Sequence, residues 1–156
     1  MIERKYNQET SELAEAGLSS TRFLAKEGEK IVSQALVVEY KNKTDIPFGY
    51  VVYVQTQQEY RGLGLAGGVM DKVNNFLEGK EMVGVLENKI SKNDPGFRLY
   101  QDRGWRESKK YENWMIYDRK QTSEAQINEV IEYLINQKIE DEYDFEIKEI
   151  DIDRRS

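Results

Sequence analysis

At 156 residues, 38% apolar and 33% charged, with a formal net charge of −6, the chain is sized for one domain with a single modest core. It has neither cysteine nor histidine. That excludes disulfides, thiolate nucleophiles, Cys-type zinc sites, Ser-His-Asp triads and imidazole bases, and leaves acid–base chemistry to carboxylates, tyrosines, lysines or water.

No apolar run approaches the ~18 residues of a membrane span. The start, MIERKYNQET, carries charge where a signal peptide is apolar, so a cytoplasmic protein is expected. Residues 121–156 hold 11 acidic and 4 basic side chains, whereas 1–120 is nearly neutral. The expected division is a body over 1–119 and an acidic C-terminal extension over 120–156. Neither has the basic surface of a nucleic-acid binder, so neither nucleic acid nor membrane is expected as a partner.

In chain order, residues 2–6 read as a short edge strand. A helix over about 8–16 (Leu13, Ala14, Ala16) ends at Gly17, and a second starts at Ser19 or Ser20 and stops by Gly28. KIVSQALVVEYK and FGYVVYVQ read as strands joined through the turn-rich NKTDIP, an antiparallel hairpin. After the glycine-rich EYRGLGLAGGVM, the residues Leu65, Ala66, Val69, Met70, Val73, Phe76 and Leu77 follow a helical period that Gly79 closes. EMVGVLE is a buried strand. NDPGFRLYQDRGW is a helix opened by Asn93 or Asp94 and ended by Gly104. WRES and WMIYDR form a closing hairpin around KKYEN.

In the extension, Ile127, Val130, Ile131, Leu134, Ile135 and Ile139 make one helical stripe, and DFEIKEIDID reads as a strand with a bulge or a change of partner. The extension has three readings: a helix and strand packed on the body, a homodimer contact, or a docking surface for a basic partner.

The glycine stretch fits two fingerprints. Gly62, Gly64 and Gly67 make G-x-G-x-x-G, the dinucleotide turn, with Glu87 lying 25 residues beyond Gly62, near where a ribose-binding acid would fall. That fold wants its first glycine directly after a strand and several further strand–helix units. Here the polar segment Gln55 to Arg61 intervenes, and about one more such unit follows.

The other fingerprint is R-x-x-G-x-A: Arg61, Gly64, Ala66. With GYVVYVQ before it, then Asn93, Tyr100 seven residues later, and Gly104-Trp105, the chain over about residues 31–119 resembles the GNAT superfamily of N-acetyltransferases. Gln58 stands where many members have proline.

The resemblance implies an α+β fold, a mixed, mostly antiparallel central sheet flanked by helices, here with an added C-terminal helix and strand. It implies direct transfer of acetyl from acetyl-CoA to a primary amine of a small molecule or protein, with no metal. The alternative is a degenerate member that binds CoA as an interaction or regulatory module; a working Tyr100 and base separate the two.

In the implied site, N–H groups of Gly62, Leu63, Gly64, Leu65, Ala66 and Gly67 cradle the diphosphate at a helix N-terminus, and Arg61 pairs with it or fixes the loop. Backbone groups of Val54, Gln55 and Thr56 pair with the pantetheine arm, which requires the strands holding Val54 and Val85 to splay apart. Tyr100 donates a proton to the departing thiolate, its reference pKa of ~10 lying above a thiol's ~8.5, or is merely core. Asn93 contacts the cofactor amide or caps the following helix. Glu87 is the best-placed base, with a water chain the common substitute and Glu39 and Glu59 as runners-up. The N-terminal helices and the 108–114 turn are expected to shape the acceptor pocket.

Overall fold

The computed structural model describes residues 5–13, 18–88 and 95–137. Its elements are β1 (Lys5–Leu13), β2 (Leu18–Glu27), β3 (Lys30–Tyr40), β4 (Phe48–Thr56), α1 (Leu65–Gly79), β5 (Val83–Glu87), α2 (Pro95–Asp102), β6 (Arg106–Glu107), β7 (Trp114–Tyr117) and α3 (Glu124–Gln137). A single 3-10 turn, Gln58–Tyr60, precedes α1. The strands form one sheet in the order β1-β2-β3-β4-β5-β7-β6. Among the described residues only β4 and β5 run parallel, and every other pairing is antiparallel. This is the mixed, mostly antiparallel α+β sheet expected from the sequence.

The two expected N-terminal helices are strands instead. β1 and β2 pair antiparallel from Lys5↔Lys26 to Leu13↔Leu18. Strand β2 lies inside the sheet and buries Ser20, Thr21, Phe23, Leu24 and Ala25, thus side chains on both faces. A strand covered on both sides shows no polar–apolar alternation, so its small polar residues look like helix caps. Gly28, read as a helix stop, opens the two-residue turn between β2 and β3 at φ +60°. Strand β1 also runs on to Leu13, past the expected end at residue 6.

The sheet carries a core on each face. On one side α1 and α2 cover Phe23, Val37, Val51, Leu86 and Met115, with Leu65, Val69, Met70, Val73 and Leu77 supplied by α1. On the other, α3 lays Ile127, Val130, Ile131 and Leu134 over Leu36, Val38, Tyr40, Phe48, Val85, Trp114 and Ile116. The face that lacks the expected N-terminal helices is therefore covered from the C-terminal end of the chain. Ile135 remains exposed. Ile139 and the strand expected over DFEIKEIDID lie outside the described residues.

Ile131→Ala should destabilise the chain by about 2–5 kcal/mol, the cost of a buried Ile truncated to Ala, whereas Ile135→Ala should stay within about 0.5 kcal/mol. Denaturant unfolding measures both. Equal, small effects would mean that α3 is not part of the core.

Candidate functional site

Strand β4 carries one extra residue. Leu36 of β3 is opposite Tyr53 while Val37 is opposite Val51, so Val52 is a bulge. Pairing of β4 with β5 runs from Phe48↔Val83 to Val51↔Leu86 and goes no further. Beyond it, β4 continues through Val52–Thr56 alongside β3, while β5 ends one residue later at Glu87, paired with β7 along its other edge from Gly84↔Tyr117 to Glu87↔Trp114. Val54, Gln55 and Thr56 therefore stand on the part of β4 that runs past its pairing with β5. The Ser33 hydroxyl bonds Thr56 Oγ1 at 2.8 Å and donates to Gln55 O at 3.3 Å, which fixes this stretch against β3.

The glycine turn follows at once. Gln57, buried, anchors its start: its backbone N–H donates to Val32 O and its Nε2 to Ile31 O. Arg61 is exposed and donates from Nε to Thr56 O at 3.3 Å, so it braces the loop. Gly62 and Gly64 have φ +80° and +78°, left-handed conformations that favour glycine.

Gly64 is the N-cap of α1 with no side-chain cap, and the first turn has no acidic residue. Neither the N-cap residue nor the first turn thus supplies a capping side chain or a carboxylate to the first N–H groups of the helix. A Cβ on Gly62 would meet nothing within 4 Å among the described residues, so the backbone is open at that position. An uncapped helix start behind an open glycine turn fits a diphosphate.

Gly67 has a different use. A side chain there would collide with the Arg103 guanidinium, whose Nε donates to Gly67 O at 3.1 Å and to Asp71 Oδ1 at 3.0 Å. The third glycine of the fingerprint thus serves close packing of the segment after α2 on α1. Leu65 is core, Ala66 half-buried and Leu63 exposed.

Tyr100 and Glu87 fall on opposite faces of the sheet. Tyr100, half-buried on α2, packs with the α1-side core, its ring tilted against Trp105 at 6.4 Å. Trp105 is itself fixed by Nε1 donating to Asn74 Oδ1 at 2.9 Å. Glu87 alternates with Leu86, which faces α1, and so sits on the α3 side with Tyr50 and Trp114.

The runners-up lie elsewhere. Glu39, opposite Gly49 at the far end of β3, is buried and paired with Lys80. Glu59 is exposed and paired with Lys30 at 3.1 Å. Asn93 lies outside the described residues. Among those residues, no group of His, Cys, Asp and Glu is arranged to hold a metal ion.

Sequence reasoning overlooked Tyr50. It is buried, stacks on Trp114 at 6.1 Å, and its phenol is pushed up to about 12, first by burial and then by the charge of Glu87. The alternation of FGYVVYVQ was the available signal, blurred by the bulge at Val52.

A scan against protein-family profiles finds no match. In sequence the chain is similar to an aminoglycoside 2'-N-acetyltransferase of Mycolicibacterium fortuitum, 35% identical over 78 residues. The match takes in 48% of this chain but 38% of that protein, so the chain spans well under half of this curated relative. In structure it is similar to an acetyltransferase of the GNAT family from Staphylococcus aureus Mu50, with TM-score 0.51 and 19% identity over 64% of this chain and 66% of that one. Arabidopsis thaliana Naa50 in complex with the bisubstrate analogue CoA-Ac-MVNAL aligns at TM-score 0.50 and 15% identity, over 61% and 70%. A chain of the NatC complex bound to Gag peptide and CoA aligns at 0.52 and 16%, over 62% and 70%. At these identities the likeness shows the fold: the chain is folded as GNAT acetyltransferases are.

The Tyr50 phenol titrates above its ordinary ~10, so the stability it lends is complete below pH ~10 and is lost as pH rises through about 12. Glu87→Gln should lower this midpoint while leaving it above the ordinary value, because burial is the larger cause. Ultraviolet phenolate absorbance, with Tyr50→Phe to identify the transition, measures it. An unchanged midpoint would place the Glu87 charge away from Tyr50.

Proposed function

We propose that this chain, with the fold of the GNAT acetyltransferases, moves an acetyl group from acetyl-CoA directly to a primary amine. One observation carries the reading. Among the described residues the one parallel strand pair ends at Val51↔Leu86, and a glycine turn leads from the continuing β4 into the start of α1, whose N-cap makes no side-chain hydrogen bond. An oxidoreductase of the dinucleotide class would need a longer parallel sheet than one pair.

Acetyl-CoA supplies the acyl group as a thioester. Backbone N–H groups of Gly62 to Gly67 hold its diphosphate at the positive end of α1, with Arg61 bracing the loop. Backbone groups of Val54, Gln55 and Thr56 receive the pantetheine arm along the freed edge of β4. A backbone N–H there also polarises the acetyl carbonyl. Tyr100, on the α1 side, gives its proton to the departing sulfur. Glu87, on the opposite face, takes the proton of the incoming amine, directly or through water. Acid and base on opposite faces match a reaction in which the amine enters from one side and the thiol leaves on the other.

Asn93 contacts the cofactor amide in this reading. The N-terminal helices expected to line the acceptor pocket are absent, so α3 and the 108–114 loop take that place on the Glu87 face. A small-molecule amine is the first acceptor to try, since the sequence relative is named for an aminoglycoside; a protein amine is the second. No helix among the described residues is long and apolar enough to cross a membrane. The cytoplasmic setting expected from the sequence belongs to the same reading. If the extension also joins two copies, it does so through its outward face around Ile135, because the inward stripe is covered by the sheet.

Tyr100→Phe keeps the ring and its packing but removes the proton donor. Thiol release with an amine acceptor should fall by about 10²–10⁴, while the rise in melting temperature caused by acetyl-CoA persists. Gly64→Val, strained at φ +78°, should abolish that rise. An unchanged rate in Tyr100→Phe would make Tyr100 a core residue. Binding without transfer to any amine in the wild type would leave a CoA-binding module.

A further inference from the structure

The carboxylate of Glu132, on α3, reaches away from its helix to the loop between β6 and β7. It accepts the Tyr111 hydroxyl, and Lys110 Nζ lies 3.5 Å from the same Oε2. Lys110 also sits over the Tyr111 ring, 5.3 Å from its centroid. These partners, Tyr111 first, hold the Glu132 carboxyl below its ordinary range, and the same hydrogen bond raises the Tyr111 phenol.

Two more α3 carboxylates reach other segments. Glu124 pairs with Arg106 of β6 at 2.8 Å, and Glu129 accepts the Asp45 N–H at 3.1 Å.

The loop is short and internally bonded. Ser108 Oγ accepts the N–H groups of Lys110 and Tyr111, the Ser108 N–H donates to Trp114 O at 2.8 Å, and the Trp114 N–H donates to Tyr111 O at 3.3 Å. The Asn88 N–H, just past the end of β5, donates to Asn113 O at 2.6 Å. Holding Tyr111 therefore holds Trp114, which is paired with Glu87 and stacked on Tyr50. The other face of the sheet carries α1 and α2, so in the acetyl-transfer reading the amine comes from the side this loop borders.

We propose that Glu132 is a positioning residue of the acceptor site, acting through Tyr111 to fix the 108–113 loop and so place Trp114 against Glu87 and Tyr50. The acceptor role rests on the acetyl-transfer reading; the hold on the loop rests on these contacts alone. Exposed ion pairs contribute little to stability, so a residue of merely local structural effect would leave kinetics untouched.

The test uses the full chain carrying Glu132→Gln, Tyr111→Phe, or both. Hydrogen exchange in peptides spanning 108–117 and at Asn88 should quicken by about tenfold in each variant, with β3 unchanged. With an amine that the wild type acetylates, KM for the amine should rise by about tenfold while KM for acetyl-CoA stays the same. The double variant should be no worse than either single one, because both break one contact. Unchanged exchange, or faster exchange with an unchanged amine KM, overturns the proposal. So does a double variant whose losses add. A wild type that acetylates no amine overturns the acetyl-transfer reading, and the acceptor role with it, whatever the exchange shows; unchanged exchange in variants of an active wild type overturns the proposal and leaves the acetyl-transfer reading standing.

Discussion

The parallel contact between β4 and β5 is four residue pairs long, and the proposed chemistry depends on where it ends. Two parallel neighbours cannot be joined by a tight turn; the chain must leave one strand, cross a face of the sheet and return. Here α1 makes that crossing, so its N-terminus is delivered to the carboxyl end of β4. At the same end the β4–β5 pairing stops: Val52 bulges, β5 ends at Glu87, and β4 runs on to Thr56. The end of β4 and the start of α1 thus come together through one topological requirement, which is the usual setting of ligand sites in sheets with parallel strands.

Packing reinforces this geometry. Gly49 and Gly84 face each other across the parallel pair, and a Cβ on either would strike Leu77 of α1. The helix can therefore press on the sheet at the pair itself. Trp105, between Tyr100 and Tyr117, closes the same side of the core. On the opposite face α3 supplies the covering layer, and its Glu132 ties the 108–113 loop, which meets Glu87 through Trp114. The acidic extension is therefore structural at its inner stripe and, in our reading, functional at its polar flank.

The body of the fold was legible because its signals are local. The helical stripe of α1, the glycines at 62 and 64, and the strands around them need nothing from distant residues to be recognised. Strand β2 was not legible: its helix-like cues came from Ser20 and Gly28, and only burial on both faces makes it a strand. The site divides in the same way. Turn and strand end could be placed by spacing, whereas the Tyr50–Trp114–Glu87 group joins three strands that the sequence separates. The link from Tyr111 to Glu132 spans 21 residues and depends on which face α3 covers.

The most direct test of the proposed site is a titration of the isotopically labelled chain with acetyl-CoA, following backbone amide resonances. The account predicts shifts concentrated at Val52–Thr56, at Gly62–Gly67 and at Glu87, with the β1–β2 hairpin and the inner stripe of α3 unmoved. Shifts that spare Val52–Thr56, or that gather on the α3 face away from Glu87, would contradict it.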